Sequence, residues 1–128
     1  MAQVKTAPLA ILHGHKYISL TTFRKNGQAV PTPVWFAEQG GRLYIVTMAE
    51  SGKVKRIRAN AQVEVAPCDA AGRILGASFE AMATIVPKPE EPHADRALSR
   101  KYGITKMLFM LMWRLRRIPV AYLEVQPM

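Results

Sequence analysis

A chain of 128 residues with 49% hydrophobic and 21% charged residues has the size and composition of one globular domain, which excludes a disordered chain. Its single cysteine, Cys68, excludes an intrachain disulfide framework and a cysteine-based zinc site. The net charge of +9, from 18 Lys+Arg against 9 Asp+Glu, suits an anionic partner: nucleic acid, a membrane surface or a polyanionic small molecule.

Residues 1–10 lack the sustained apolar run of a signal peptide. The apolar run 107–113 is too short to span a bilayer, and Arg114, Arg116 and Arg117 follow it. The expectation is a soluble cytoplasmic protein in a reducing compartment, one domain over 1–128, with no internal repeat. Residues 7–13 are predicted as a short first helix, with Pro8 tolerated in its first turn. Residues 17–23, β-branched and aromatic, read as a strand. Asn26-Gly27 turns the chain, and 29–37 returns as a second strand. Pro31 and Pro33 lie two apart, so both missing N–H groups fall on one side of that strand. That side cannot carry a regular ladder, which marks an edge or an irregular stretch beside a ligand.

Residues 42–48 form a third strand and Ser51 caps a helix over about 51–60, with Val54 and Ile57 as its apolar stripe. Strands are predicted over 62–66 and 76–86, the second long and bent, around a turn at 69–72. A loop over 87–92 leads to helices at 93–102 and 106–117, separated by Gly103, and 120–125 is the closing strand. Six or so antiparallel strands with short connections should roll into a barrel whose ends the helices cap: a mainly β fold with α.

The strand–turn–helix segment 43–58 carries the strongest chemical signal. Ser51 and Gly52 sit where a helix N-terminus presents unpaired N–H groups and partial positive charge. Lys53 can reach back to an anion there, and Thr47 can add a hydroxyl. Lys55, Arg56 and Arg58 add cations that oppose the helix dipole unless an anion neutralises them. A solvated basic helix face is the alternative. Neither a Walker A loop nor GxGxxG is present.

The segments YISLTTFRKNGQAVPTPVWF, LYIVTMAESGKVKRIRAN and VEVAPCDAAGR resemble the small F420-dependent branch of the pyridoxamine-phosphate-oxidase superfamily. The resemblance covers about 17–73 and returns at KYG and the closing strand. It implies a split β-barrel of the FMN-binding kind, paired as a homodimer, with a flavin-type cofactor in the groove between subunits. It further implies that Ser51 and Lys53 match a phosphate-binding Ser-x-Lys, with Val46 and Thr47 beside them. Pro31, Thr32, Pro33, Val34 and Trp35 would run along the cofactor ring. The second strand lacks the arginine and lysine of the oxidase proper, and the C-terminus lacks its substrate-binding arginine and histidine, which argues against that activity. Coenzyme F420 carries a phosphodiester and an acidic tail, which suits the surplus Lys55, Arg56, Arg58 and Arg73; FMN is the alternative cofactor.

The expected function is F420-dependent hydride transfer to an electron-poor small molecule. Its chemistry is borne by the cofactor and no residue is assigned as catalytic; Trp35 and Tyr44 would line the acceptor face. The alternatives are an FMN-binding flavoprotein and a non-catalytic cofactor-binding protein. Cys68 reads as a buried structural thiol, His13 and His15 as turn residues rather than metal ligands, and His93 as exposed. Residues 107–113 read as buried, in the core or at an interface, with a substrate-lining surface as the alternative; Arg114, Arg116 and Arg117 favour a helix C-terminus and could also meet acidic lipid or a cofactor tail. A nucleic-acid module is disfavoured because the basic residues lie in helices and the aromatics in strands. A peripheral membrane protein rests only on the basic helix beside MLFMLMW, and a haem protein finds no persuasive axial histidine.

Overall fold

The computed structural model describes residues 7–128. Seven strands form one antiparallel sheet: β1 Tyr17–Phe23, β2 Ala29–Trp35, β3 Ala37–Gln39, β4 Arg42–Met48, β5 Gln62–Cys68, β6 Phe79–Ile85 and β7 Val120–Pro127. Three helices accompany them: α1 Gly52–Ala59, α2 Glu91–Tyr102 and α3 Ile104–Leu115, with 3₁₀ turns at Ala7–Leu12 and Lys88–Glu90. The sheet order is β2-β1-β5-β6-β7-β4-β3. The two outermost strands, β2 and β3, are thus consecutive in sequence and joined only through Phe36. A sheet whose opposite edges are tied by one residue must curl until they meet, and β2 touches β4 across the closure. No ladder bridges this seam. Pro31 and Pro33 lie on β2, which pairs on one side only, with β1 (Thr21↔Pro31, Ser19↔Pro33). Their missing donors keep the other side from zipping onto β4. The result is a split barrel.

Strand alternation builds the core. Ile18, Leu20, Leu43, Ile45, Val63, Val65, Leu123 and Val125 are fully buried inside the barrel, and Ile57 of α1 adds to them. The other face of β4 is buried too, because α2 lies over it: Tyr44, Val46 and Tyr122 pack on Ala94, Ala97 and Leu98. β6 has one solvated face, so it alternates Ala81 and Ala83 inward with Glu80, Met82 and Thr84 outward.

Several expectations need correction. The strand expected over 29–37 is two strands, because the Tyr102 hydroxyl takes the Phe36 backbone at the joint: the Phe36 N–H donates to it at 2.9 Å. The long strand expected over 76–86 starts only at Phe79; before it, Cys68↔Ile74 is an isolated bridge. The loop over 87–92 contains a 3₁₀ turn, and α2 already begins at Glu91. Residues 107–113 are not core: in the single chain Met107, Leu108, Phe109, Leu111 and Met112 are 37–60% exposed.

Asp69 organises the turn between β5 and the bridge. Its Oδ1 accepts from the N–H groups of Ala71 and Arg73 at 3.0 and 2.9 Å, and its Oδ2 from Arg73 Nε at 3.0 Å. Gly72 closes the turn at φ +91, and a Cβ there would meet only Pro33 at an ordinary 3.8 Å. Gly72→Ala should therefore cost backbone strain alone, about 1 kcal/mol, read as a lower urea midpoint with an unchanged slope. A shift of several kcal/mol would show that the turn bears more than its own backbone.

Candidate active site

The seam opens into a cavity of about 460 Å³. Pro33, Val34 and Trp35 of β2 form one wall, with Tyr17 of β1 beside them. Val46, Thr47 and Met48 of β4 form the other, Lys53 of α1 borders it, and Thr105, Lys106, Phe109, Met110 and Trp113 of α3 make the roof. That volume suits a small-molecule site. Gly103, at φ 55 and ψ −124, sits between α2 and α3 in a conformation that glycine readily adopts and other residues avoid. Trp35 stacks on Tyr102 at 4.7 Å and meets Phe109 edge-on at 5.0 Å, so the β2 wall is fixed to both helices.

α3 is anchored from below. Lys106, 6% exposed, pairs through Nζ with Asp95 Oδ1 at 2.6 Å. Tyr122 Oη–H donates to the same oxygen at 2.7 Å. Burial raises the Asp95 pKa, but the bonds from Lys106 and Tyr122, with the lysine charge, outweigh it and hold the carboxyl below its ordinary value.

At the seam's α1 end, Lys53 Nζ donates to Thr47 Oγ1 at 3.0 Å. No ion pair of Lys53 occurs among the described residues. Burial, helped by the Arg56 charge, lowers its pKa. Ser51 is the N-cap of α1, yet its side chain makes no capping bond, and its buried Oγ has no hydrogen-bond partner among the described residues. A buried hydroxyl without a partner is costly and calls for an explanation. With the free N–H groups of the first turn and an ammonium two residues on, the donor set fits a phosphate-type anion.

Of the expected site residues, Pro33, Val34, Trp35, Val46, Thr47 and Lys53 line the seam cavity together. Ser51 lines a smaller depression of about 300 Å³ with Met48, Glu50, Arg117, Ile118 and Pro119, and Met48 borders both hollows. Pro31 and Thr32 lie further along β2, outside the cavity lining. Gly52 lies against the Arg56 guanidinium; a Cβ there would come within 2.7 Å of Nη1. Arg56 itself donates from Nε to Thr22 Oγ1 at 2.6 Å, Lys55 is exposed, and Arg73 is held by Asp69. Tyr44 does not face the cavity. It packs under α2, edge-on to the exposed His93 at 5.4 Å. Cys68 is buried, and burial together with Asp69 pushes its thiol pKa up, the environment of a structural cysteine.

The inner face of α3 lines the cavity, the substrate-lining alternative weighed for 107–113, and Arg117 shares the Ser51 depression at the positive φ of 57. The KYG signature pointed to Tyr102 without showing its role. His13 bonds Glu38 Oε1 at 3.2 Å, and no cluster of metal-ligating side chains occurs among the described residues. No helix of the described residues is long and apolar enough to cross a membrane.

A curled antiparallel sheet with an unladdered seam defines the split-barrel class. The chain belongs to the pyridoxamine 5'-phosphate oxidase family, whose sequence pattern matches residues 5–117. No curated protein matches it. Among solved structures, it is similar to an FAD-binding protein from Mesorhizobium loti, at 18% identity over 95% of this chain and 88% of that one, with a TM-score of 0.68. It is similar to HutZ, the heme storage protein from Vibrio cholerae, at 13% identity over 94% and 87%, with a TM-score of 0.66. It is also similar to an F420 reductase, at 20% identity over 93% and 91%, with a TM-score of 0.58. These likenesses are of fold. The three proteins differ in the group they are named for, so fold alone does not choose a cofactor here.

Proposed function

We propose that this protein is an F420-dependent oxidoreductase that acts as a homodimer in the cytoplasm, with residues 1–128 as one cofactor-binding domain. The observation that carries the reading is the partnerless buried Ser51 Oγ at the start of α1, in a depression that shares Met48 with the seam cavity, two residues before the carboxylate-free Lys53 that borders that cavity. Ser51 Oγ–H, Lys53 Nζ and the first N–H groups of α1 bind the cofactor phosphate. Pro31, Thr32, Pro33, Val34 and Trp35 run along the ring on the side of β2 away from β1, which no ladder occupies. Val46 and Thr47 close the opposite wall, and Gly52 leaves room for Arg56 over the helix start. The bound deazaflavin supplies the hydride chemistry. Trp35, Phe109, Met110 and Trp113 exclude water from it and leave an apolar place for an electron-poor small molecule. The exposed Lys55 and Arg58 offer charge to an acidic cofactor tail.

FMN is the second reading. The engagement of Arg56 by Thr22 and of Arg73 by Asp69 favours it, since two of the four cations assigned to the tail are already bonded. No histidine lines the seam cavity, which gives a haem no axial ligand there. For the homodimer, Ile74, Leu75 and Met82, 42–53% exposed, supply apolar contact surface on and beside the β5–β6 connection.

Fluorescence titration with coenzyme F420 and separately with FMN tests the assignment. The expected result is F420 binding at least roughly tenfold tighter than FMN, a difference of about 1.4 kcal/mol. Tight binding of FMN alone moves the function to the flavoprotein. If neither binds below about 100 micromolar, the cofactor site is wrongly assigned.

A further inference from the structure

α3 has two apolar faces. The inner face, with Phe109, Met110 and Trp113, roofs the seam cavity. The outer face carries Ile104, Met107, Leu108, Leu111, Met112 and Leu115, each 37–76% exposed. Their spacing (i, i+3, i+4, i+7, i+8, i+11) puts them on one stripe along a helix of about 18 Å. A continuous apolar stripe on the surface is an interaction site by default. Ile104, Met107 and Leu111 also border a groove of about 910 Å³ against α2, where Asp95 is paired with Lys106 and Glu91 is the other acid; the rest of the surrounding charge is positive. Residues 96–117 hold Arg96, Arg100, Lys101, Lys106, Arg114, Arg116 and Arg117 and no carboxylate. Lys106 is buried in its pair with Asp95, while Arg114 and Arg116 lie exposed at the C-terminal end of the stripe.

We propose that the outer face of α3 docks on an anionic lipid surface, with Leu108 and Leu111 at the acyl boundary and Arg114 and Arg116 among acidic headgroups. Charge complementarity selects this occupant. A second copy seated helix to helix would set the arginines of each chain against those of the other with only Glu91 of α2 beside the stripe to offset them, since α3 itself offers no acid and each chain already carries +9. A bilayer with acidic headgroups satisfies the stripe and the arginines together. Twelve residues cannot span it, so the helix lies in the plane of the interface. The inference is independent of which cofactor the seam holds.

Co-sedimentation of the full chain with vesicles of phosphatidylcholine and phosphatidylglycerol, against vesicles of phosphatidylcholine alone, tests it. The protein should bind the anionic vesicles only, and more weakly at high salt. Leu108→Ser with Leu111→Ser should abolish binding while leaving the far-ultraviolet circular dichroism unchanged, because both side chains are already solvent-exposed. Arg114→Gln with Arg116→Gln should weaken binding by roughly tenfold or more. No binding to anionic vesicles overturns the proposal, as does binding that survives both double variants. An oligomer that dissociates in the leucine variant while vesicles are ignored also overturns it and makes the stripe a protein contact.

Discussion

Lys53→Met should produce a protein that melts higher than the wild type and binds its cofactor at least tenfold more weakly. The wild-type ammonium is part-buried, donates to Thr47 Oγ1 and has no counter-charge among the described residues. Burial and the Arg56 charge lower its pKa. A base whose folded pKa lies below its unfolded value holds its proton less tightly when folded. It therefore costs stability at every pH below the folded pKa, and that cost is relieved as pH rises from there towards the unfolded value of about 10.4. Methionine keeps the stem and removes the charge. Without ligand, the variant should gain about 0.5–1 kcal/mol, which differential scanning calorimetry would show as an increase of about 2–5 °C in Tm. An anion on Lys53 reverses the pKa shift. Wild-type affinity should consequently fall as pH rises through the lowered pKa, and the methionine variant should lack that arm of the pH profile. A variant that melts lower and binds normally would make Lys53 a structural residue.

The parts of this molecule that were legible in its sequence are those decided locally. β-branched and aromatic residues marked β1, short apolar runs between turns marked β4 and β7, and the serine before Gly-Lys marked the start of α1. The proline pair in β2 marked an edge strand, because a missing N–H is a property of the residue alone. Strand order was not legible, since it rests on pairings such as Leu43↔Val125, 82 positions apart. The break at Phe36 was hidden for the same reason: its cause is a hydroxyl 66 residues away. Composition left α3 open between core, interface and substrate lining. A helix apolar nearly all round reads as core, and only its setting beside Gly103 and over the seam decides that one face lines a cavity and the other meets solvent. The loss of Arg73 from the cation cluster could have been read in advance, because Asp69 stands four residues before it, within reach across one tight turn.

Tyr102→Phe should destabilise the protein by about 1–3 kcal/mol, although it removes a single oxygen atom. That oxygen accepts the Phe36 N–H at 2.9 Å and lies 2.7 Å from both the Lys16 and Phe36 carbonyls, to one of which its hydrogen is donated. Phe36 is 2% exposed, so no water replaces the hydroxyl, and its N–H is left without an acceptor at the one residue that ties the two edges of the sheet. The phenyl ring retains the stack on Trp35, so any effect isolates the hydroxyl rather than the aromatic contact. Burial first, then the Tyr17 charge, push the Tyr102 pKa up to about 12 against the lowering effect of the Phe36 bond. An acid with a raised folded pKa contributes its stability in full below its unfolded value of about 10 and loses it as pH rises through about 12. Chemical denaturation from pH 8 to 11 should therefore show the wild-type advantage over Tyr102→Phe narrowing above about pH 10. The seam should loosen as well. If Phe36 shifts, Trp35 moves with it, and cofactor affinity should fall by several-fold even though Tyr102 does not line the cavity. Stability lost with affinity intact would mean that the joint holds the barrel closed without setting the width of its seam.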